Sequence, residues 1–294
     1  MNKCNLCPRS CNVDRNKSVG FCKLNNKPKL ALVKVHHGEE PIISGTKGSG
    51  TIFFSGCNLK CVFCQNYQLS HDNYGEEISV ERLVEIFKEL EEKGVHNINL
   101  VSPTSHADLI VQALEKYTPK IPIVYNSNGY EKTETLQKLS RFIDIYLVDY
   151  KYFDDNLGRK YSKVDNYRQT VIEAITQMKQ NQPTDIFDEN GIMQKGVIIR
   201  HLVLPSHSSD SVKVLESIAE SFGNDVIISV MSQYYPCYKA HEFSEINRGI
   251  TALEYKRVLA TVERLGFVNG FVQDLASATK EETPIFDLSG VLRK

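Results

Sequence analysis

The sequence predicts an α/β protein, a partial (β/α)6 barrel of the TIM type with a small cysteine-rich segment in front of it. Two observations support this fold class. From Thr51 onward, short apolar runs typical of buried strands alternate with stretches whose apolar residues recur at helical spacing. Strands separated by helices are parallel, and a run such as VIISVM at residues 226–231 indicates burial on both faces of the sheet. We count six strand–helix units, enough to curl into an incomplete barrel.

The strands and helices follow one another in a regular order. The first strand is the run TIFF, which lies between Gly50 and Gly56. Later strands are predicted at residues 97–102, 121–127, 143–149, 197–204 and 226–231. Helices are predicted from the cap Ser79 to Gly94, at residues 105–116, 133–142, 166–180 and 209–222, and after a capping box that joins Thr251 to Glu254. The letters FDENG indicate a hairpin turn before the fifth strand.

We expect two units along the chain. Residues 1–46 are predicted to form a cysteine-rich, metal-binding N-terminal segment with a hairpin, and residues 47–294 are predicted to form the partial barrel. The hairpin is expected because the apolar runs at residues 30–35 and 41–44 flank the polar letters HHGEE.

Charge and composition restrict the partners. Thirty-five basic and 36 acidic residues give a formal net charge of -1, which provides no overall field to attract nucleic acid or an anionic membrane. The letters MNKCNLCPRSC lack the apolar stretch of a signal peptide, and no apolar run approaches the roughly 18 to 20 residues that span a bilayer. We therefore expect a cytoplasmic protein without a membrane or nucleic-acid partner, whose thiols bind metal instead of forming disulfides.

Three cysteines follow the first strand: Cys57, Cys61 and Cys64 have the spacing C-x3-C-x2-C. Thiolates suit zinc or iron–sulfur clusters, but a closed structural zinc site needs four protein ligands. Three cysteines instead fit a cubane cluster that keeps one iron free for chemistry. The alternative, buried structural cysteines or a disulfide, is weaker because any disulfide pairing leaves one of the three unpaired.

Four more cysteines lie within the first 25 residues: Cys4, Cys7, Cys11 and Cys22 have the spacing C-x2-C-x3-C-x10-C. The segment is polar and rich in turn residues, so it has little apolar surface to bury, and a metal is expected to order it. Either zinc or a second iron–sulfur cluster fits four thiolates, and the sequence does not choose between them. The alternative is a set of loose surface cysteines. The eighth cysteine, Cys237, is expected to be packed and unreactive.

Polar residues end the other strands, in the letters SPTSH, NSN, DYK, RH and SQYY. Ligands collect beyond the carboxyl ends of parallel strands, so these residues are candidates for ligand binding, although helix caps and turns use the same residue types. Asp149 and Lys151 share one face of an extended segment. Arg200, beside His201, is suited to hold a ligand carboxylate because a guanidinium offers two parallel donors.

The cysteine loop, with the aromatic Phe63 before its last cysteine, resembles the radical S-adenosylmethionine (radical SAM) superfamily. Residues 4–274 resemble more specifically the branch similar to the pyruvate formate-lyase activating enzyme, with NSNG at residues 126–129 and DYK at residues 149–151. The chain departs from that pattern by its N-terminal four-cysteine segment, which the activating enzymes lack, and in three further places. SPT stands where the family has GGE, Asn126 replaces an acidic residue that would hold a monovalent cation, and Gln233 and Tyr234 replace a YH pair.

The resemblance implies the cofactors and the site. Cys57, Cys61 and Cys64 would bind a 4Fe-4S cluster whose fourth iron chelates the amino and carboxylate groups of S-adenosylmethionine. No catalytic residue is implied beyond these cluster ligands. Residues implied to contact S-adenosylmethionine are Phe63, Ser102, Thr104, Asn126, Ser127, Asp149, Lys151, Arg200, His201, Gln233 and Tyr234.

The reaction implied by the resemblance is reductive cleavage of S-adenosylmethionine to a 5′-deoxyadenosyl radical that abstracts a hydrogen atom from a substrate. A flavodoxin or ferredoxin would supply the electron. A glycyl radical enzyme or another polypeptide is the implied substrate, and a small molecule or a nucleotide is the alternative. Two other functions compete with it, a non-catalytic two-cluster electron carrier and a zinc-dependent binding module. The open coordination position and the polar strand ends argue against both.

Overall fold

The computed structural model describes residues 3–275 and 284–293, and one ten-stranded sheet organises them. The strands are β1 (Lys29–His36), β2 (Ser49–Phe54), β3 (Glu76–Glu77), β4 (Ile98–Val101), β5 (Ile123–Ser127), β6 (Ile145–Asp149), β7 (Ile186–Phe187), β8 (Met193–Leu202), β9 (Ile227–Met231) and β10 (Gly270–Val272). The order across the sheet is β10-β9-β8-β6-β5-β4-β2-β1-β3, and β7 pairs with β8 beside it. All neighbours from β2 to β10 along this path are parallel.

Helices connect the parallel strands. They are α1 (Pro41–Ser44), α2 (Tyr67–Ser70), α3 (Val80–Glu92), α4 (Ala107–Lys116), α5 (Thr133–Leu139), α6 (Asp155–Leu157), α7 (Tyr167–Asn181), α8 (Ser208–Phe222) and α9 (Ala252–Leu265). The Ser79 side chain caps α3 by accepting a hydrogen bond from the Arg82 backbone, and the capping box of Thr251 and Glu254 opens α9. Both predicted caps are therefore confirmed. Among the described residues, no helix is both long and apolar enough to cross a membrane.

The predicted fold class is confirmed. The six predicted strands correspond to β2, β4, β5, β6, β8 and β9, and a helix follows each of them in the chain. A seventh parallel strand, β10, pairs with β9 after the last helix. The sequence did not predict β10, because this strand is three residues long and Val272 within it is exposed, so it lacks a buried apolar run.

The predicted N-terminal hairpin is wrong in one arm. β1 pairs antiparallel with β2, from His36 opposite Ser49 to Leu30 opposite Phe54, and residues 41–44 form helix α1 between them. Pro41 stands at the start of α1, where its missing N–H costs nothing, so the apolar run that follows it is helical. The division at residue 46 stays a prediction, and parts of both predicted units, residues 1–2, 276–283 and 294, lie outside the described residues.

The interior of the barrel is layered because side chains alternate along each strand. The lower layer is apolar and contains Val124, Ile145, Leu147, Ile198 and Ile227, with Ile43 of α1 packed against them. Two residues further along three of these strands, the side chains are polar: Asn126, Asp149 and Arg200. Polar groups therefore line the barrel at the carboxyl ends of its strands, above an apolar base.

The N-terminal segment, residues 3–28, contains no helix or strand. It packs on the carboxyl ends of the strands through hydrogen bonds to residues that follow β4 and β5. The Thr135 hydroxyl donates to the Leu6 carbonyl at 2.8 Å, and the Arg15 guanidinium donates to the Ser105 carbonyl at 2.6 Å. The segment therefore lies at the same end of the barrel as the loop that carries Cys57.

Candidate functional site

The cysteine loop begins at Gly56, directly after β2. Its φ of +76° is a left-handed conformation, and a Cβ here would lie 2.8 Å from the Cys22 carbonyl oxygen and 2.7 Å from the Leu24 side chain. Glycine is thus required where the N-terminal segment crosses the loop. Further along, the backbone N–H groups of Lys60 and Val62 donate to carbonyls of residues 161–162, at 3.0 and 2.8 Å. These bonds fix the loop to the segment before α7.

Each sulfur of the loop has its own hydrogen-bond partner. The Asn128 amide donates to the Cys57 sulfur at 3.3 Å, and the Ser162 hydroxyl donates to the Cys61 sulfur at 3.0 Å. The Cys64 sulfur and the Ser70 hydroxyl lie 3.2 Å apart. Hydrogen bonds of this kind stabilise a thiolate and tune a metal that it binds.

Whereas these hydrogen bonds favour the thiolate form, burial favours the neutral thiol at all three cysteines. It raises the pKa of Cys64 to about 12, and it raises the pKa values of Cys57 and Cys61 above their usual range. The Lys151 ammonium acts to lower the pKa values of Cys57 and Cys61. A bound metal cation would supply the charge that the buried thiolates need.

A cavity of about 430 Å³ opens beside these cysteines at the carboxyl ends of the strands. This volume is in the range of small-molecule sites. Eleven residues predicted for the cluster or its ligand line it: Cys57, Cys61, Phe63, Cys64, Ser102, Asn126, Ser127, Asp149, Lys151, Arg200 and Gln233. The structure therefore brings together residues from six strand ends that are far apart in sequence.

Three predicted residues do not line this cavity. The Thr104 hydroxyl donates to Glu131 at 2.5 Å, and the Tyr234 hydroxyl donates to the Ile246 carbonyl at 2.7 Å. His201 is 2% exposed, and its Nδ1 lies 2.7 Å from the Tyr150 carbonyl oxygen. Because adjacent strand residues point to opposite faces, His201 faces away from the interior that Arg200 lines. Direct ligand contacts by these three side chains would require them to leave their present partners.

An ion network holds the polar layer. Arg200 donates from its Nε to Asp149 at 2.9 Å and from an Nη to the side-chain Oδ1 of Asn126 at 2.7 Å, and Lys151 donates to Asp149 at 2.7 Å. Burial would raise the pKa of Asp149, but the Arg200 and Lys151 cations more than offset it and hold this pKa below its usual value. Arg200 was expected to clamp a ligand carboxylate, and its guanidinium instead already has protein acceptors.

Glu39 is the site residue that the sequence did not single out. It accepts from Asn99 at 2.9 Å and from Arg200 at 3.3 Å, and it lines the lower part of the cavity. Burial raises its pKa to about 7 in spite of the Arg200 cation. The letters HHGEE suggested only a turn, because no sequence pattern indicates that the connection from β1 to α1 enters the barrel from below.

One tyrosine joins two of the strand-end loops. Tyr167 of α7 is fully buried, and its hydroxyl oxygen lies 2.9 Å from the Asn128 carbonyl oxygen and 2.8 Å from that of Asp149. The same oxygen accepts from the Lys151 backbone N–H at 3.0 Å. Gly129 packs beside it with a φ of +79°, where a Cβ would lie 2.5 Å from the Asp149 carbonyl oxygen.

The four N-terminal cysteines line a second, smaller cavity. Cys4, Cys7, Cys11 and Cys22 surround it together with Arg15 and Asn58, among other residues. In residues 3–275 and 284–293, no three His, Cys, Asp or Glu side chains converge closely enough to hold a single metal ion. A cubane cluster does not need that convergence, because each thiolate binds a different iron. The metal-binding role of both cysteine groups stays a prediction at this point.

The radical SAM superfamily profile matches residues 51–231, which is more than half of the chain and runs from β2 to the end of β9. The chain belongs to this superfamily. An uncharacterized protein of Methanocaldococcus jannaschii is 33% identical to it over 273 residues, which cover 89% of this chain and 74% of the relative.

Solved structures resemble its fold as well. The structure of methylornithine synthase superposes with a TM-score of 0.51 at 16% identity, covering 76% of this chain and 70% of that one, a likeness that supports the fold alone. The structure of SuiB of Streptococcus suis bound to the precursor peptide SuiA has a TM-score of 0.48 at 18% identity. The superposition covers 76% of this chain and 48% of the SuiB chain.

The radical SAM family implies a 4Fe-4S cluster and S-adenosylmethionine, and the residues present fit both groups. Three thiols, each with its own hydrogen-bond partner, border a cavity of small-molecule size that contains both carboxylate and cationic side chains. Cys57, Cys61 and Cys64 could hold the cluster, and the polar strand ends could surround the second cofactor. The match establishes the superfamily and does not assign the chain to the activating-enzyme branch that its sequence resembles.

Proposed function

We propose that this protein is a radical SAM enzyme whose cluster is bound by Cys57, Cys61 and Cys64 and whose substrate is a polypeptide, as in the activating-enzyme branch. When bound, the cluster and S-adenosylmethionine supply a 5′-deoxyadenosyl radical by reductive cleavage, with the electron provided by a flavodoxin or ferredoxin. The observation that carries the proposal is the set of three thiols, each with its own hydrogen-bond partner, at the edge of one polar cavity. Three protein ligands leave one iron open to a cofactor.

The residues around the thiols position them. Asn128 donates to the Cys57 sulfur and also donates to the Asn58 side-chain oxygen at 2.8 Å, so it holds two adjacent loop residues. Ser162 donates to the Cys61 sulfur and shares a hydrogen bond with the Tyr152 hydroxyl at 2.7 Å. These contacts orient the sulfurs before any ligand binds, which reduces the reorganisation that binding requires.

The ion network orients the polar strand ends in the same way. Asp149 keeps both carboxylate oxygens occupied by Arg200 and Lys151, and Arg200 also holds Asn126. We therefore assign Arg200 and Asp149 as positioning residues. Lys151, which acts to lower the pKa values of Cys57 and Cys61, is placed to balance negative charge at the cluster. Ser102, Asn126, Ser127 and Gln233 lie at the cavity wall beside this network, and Asn126 and Ser127 are themselves held by Arg200 and Glu131.

A polypeptide substrate is supported by the size and the opening of the cavity. A volume of about 430 Å³ holds one small ligand, so a cofactor the size of S-adenosylmethionine uses most of it. The described sheet runs from β10 to β3 without the two ends pairing, and Gln65, Phe271 and Gln273 border the cavity beyond the barrel interior. A large substrate can therefore present one C–H bond at the opening while the rest of it stays outside.

Anaerobic reconstitution with iron and sulfide, followed by dithionite and S-adenosylmethionine, tests the reaction. We expect 5′-deoxyadenosine from the wild-type protein and from Cys237→Ala, which loses a thiol outside both cysteine groups, and none from Cys57→Ala. A wild-type protein that carries a cluster and forms no 5′-deoxyadenosine would exclude the enzyme. Product from Cys57→Ala would exclude the ligand assignment.

The substrate class is tested by deuterium transfer. An extract of cells grown in D₂O is separated by filtration into macromolecules and small molecules, and each fraction is supplied to the reconstituted protein. We expect deuterium in 5′-deoxyadenosine from the macromolecular fraction, and loss of that deuterium after protease treatment. Deuterium that comes from the filtrate instead would assign a small-molecule substrate, and deuterium that survives protease but not nuclease would assign a nucleic acid.

A further inference from the structure

Arg15 is buried beside the four N-terminal cysteines, and its guanidinium has fewer hydrogen-bond acceptors among the described residues than it has donors. It is 8% exposed, and one of its Nη atoms donates to the Ser105 carbonyl at 2.6 Å. Its Nε and its other Nη are buried with no hydrogen-bond partner among the described residues. An uncompensated guanidinium in a protein interior is costly, because burial removes its hydration and leaves the charge unpaired. The surroundings of Arg15 are therefore suited to bind an anionic group.

The cavity that Arg15 lines points to the nature of that group. Cys4, Cys7, Cys11 and Cys22 come from separate turns of the segment and border the same space of about 10 Å³. Four thiolates around one divalent ion, or around an oxidised 4Fe-4S cluster with its two positive charges, leave two net negative charges. Both centres thus present the same chemistry to a neighbouring cation.

We propose that the four N-terminal cysteines bind a second metal centre as an anionic tetrathiolate, and that Arg15 is its buried counter-charge. The four sulfurs do not already converge on one ion in the described part of the chain, so binding requires their side chains to turn inward. Arg9 supplies a second cation at the same cavity, where its guanidinium carbon lies 3.9 Å from the centroid of the Phe21 ring.

The backbone of the segment supports a metal-ordered turn structure. Ser10, Asn12 and Lys23 adopt positive φ angles of 43°, 54° and 61°, each a conformation that residues other than glycine avoid. The Cys4 N–H donates to the Val13 carbonyl at 2.8 Å, and the Asn12 N–H donates to the Cys4 carbonyl at 3.0 Å. The segment contains no helix or strand, so the bound metal is expected to stabilise these turns.

The second centre would lie next to the proposed active site. Asn58 lines the N-terminal cavity, and it follows Cys57, which lines the larger one. The Arg9 side chain donates to the Asn58 carbonyl at 2.9 Å, and the Asn58 amide donates to the Tyr130 carbonyl at 2.6 Å. A metal that orders residues 4–22 therefore also fixes the start of the cysteine loop.

Metal content of the full chain, purified without oxygen, tests the site independently of the radical SAM reaction. The triple variant of Cys57, Cys61 and Cys64 to alanine leaves the N-terminal segment intact. We expect it to retain one metal centre per chain, either one zinc ion or iron with an equivalent amount of acid-labile sulfide. Either composition supports the proposal, and sulfide distinguishes them. Absence of stoichiometric metal from this folded variant would overturn it.

The complementary variant carries Cys7→Ala and Cys22→Ala, with Cys237→Ala as the matched control for the loss of a thiol. We expect the double variant to lose the zinc, or the second set of iron and sulfide, while the control keeps the wild-type content. Equal metal content in the double variant and the wild type would overturn the site. Failure of 5′-deoxyadenosine formation in any of these proteins has no bearing on that result.

The counter-charge is tested with Arg15→Met, which removes the cation but keeps an unbranched side chain, and Arg15→Lys, which restores the charge. Loss of a group that supports metal ligands lowers metal affinity by 10–100-fold. We expect a loss of about this size in competition with a chelator for Arg15→Met, and recovery of most of it for Arg15→Lys. Wild-type affinity in Arg15→Met would refute the role of Arg15.

Discussion

The two cysteine groups lie at the same end of the barrel, but the chain around them differs. Cys57, Cys61 and Cys64 follow a fully buried strand, and backbone hydrogen bonds fix their loop to residues 161–162. Cys4, Cys7, Cys11 and Cys22 lie on a segment without helix or strand, beside an arginine with two unpartnered nitrogens. The first group is held in place by the fold, and the second is expected to depend on the metal that we propose for it.

This difference indicates whether each proposed metal site is formed before its ligand binds. In the loop after β2, the fold supplies the position of the sulfurs and the hydrogen bonds to them, so the ligand arrives at a formed site. In the N-terminal segment, ligand binding and local folding are one process. Loss of metal is therefore expected to change local structure at the second group much more than at the first.

The largest effect is expected for Cys61→Ala. It removes a proposed cluster ligand, so formation of 5′-deoxyadenosine should fall to background. The barrel should stay folded, because Cys61 is only partly buried and packs at the margin of a core that is formed by many fully buried side chains. Activity after reconstitution and the circular dichroism spectrum measure these two properties. If Cys61→Ala unfolds the barrel, the loop is not held by the fold in the way that the comparison requires.

A pH-dependent effect is expected at Glu131, which is buried after the end of β5. It accepts hydrogen bonds from Thr104, Ser127 and Tyr125, and burial raises its pKa from 4.5 to about 7. The folded state then binds a proton that the unfolded state has lost, so stability falls as pH rises from about 4.5 to about 7. The pKa difference corresponds to about 3 kcal/mol.

Urea unfolding at several pH values measures this effect. We expect the wild-type free energy of unfolding to contain this falling contribution, and Glu131→Gln to lack it, because the amide does not titrate. Equal pH slopes for the two proteins across this range would show that Glu131 is not protonated in the fold.

A smaller effect is expected in amide hydrogen exchange of the metal-free protein. The Lys60 and Val62 amides, bonded to residues 161–162, should stay protected, whereas the Cys4 and Asn12 amides should exchange at least about tenfold faster than in the metal-loaded protein. Mass spectrometry of peptides from both regions measures the ratio. Equal protection of the N-terminal amides with and without metal would remove the contrast between the two groups.

The smallest effect is expected for Ser162→Ala. It removes the hydrogen bond to the Cys61 sulfur and leaves the Tyr152 hydroxyl without that partner. Loss of a donor makes a bound thiolate more electron-rich, so the cluster potential should become more negative and 5′-deoxyadenosine formation should slow by less than about tenfold. A redox titration followed by electron paramagnetic resonance measures the shift. An unchanged potential would mean that this donor does not tune the sulfur.

The sequence predicted the alternation of strands and helices because each strand is an apolar run and each helix has a recognisable start. The strand-end residues could be named for the same reason: a parallel sheet places its carboxyl ends at one edge. Arg200 and His201 show the limit of that reasoning. Both were assigned to the ligand site, although alternation along β8 allows only one of two neighbours to face the interior.

Other features depend on contacts between distant parts of the chain. Glu39 reaches the interior because α1 closes the lower end of the barrel, and Asn128 reaches the Cys57 sulfur across 71 positions of sequence. Burial of Arg15 follows from how the N-terminal segment lies on the loop after β4. None of these contacts has a local pattern, so they could be found only from the folded chain.

Tyr167 has a consequence for how the site can be altered. Its hydroxyl contacts the backbone of Asn128, Asp149 and Lys151, so one oxygen atom sets the separation of the β5 and β6 loops. Redesign of either loop for another ligand has to preserve this residue, which does not line the cavity and belongs to a helix behind the sheet. A residue outside the cavity wall thus sets the dimensions of the site. Substitutions confined to the wall would leave these dimensions unchanged.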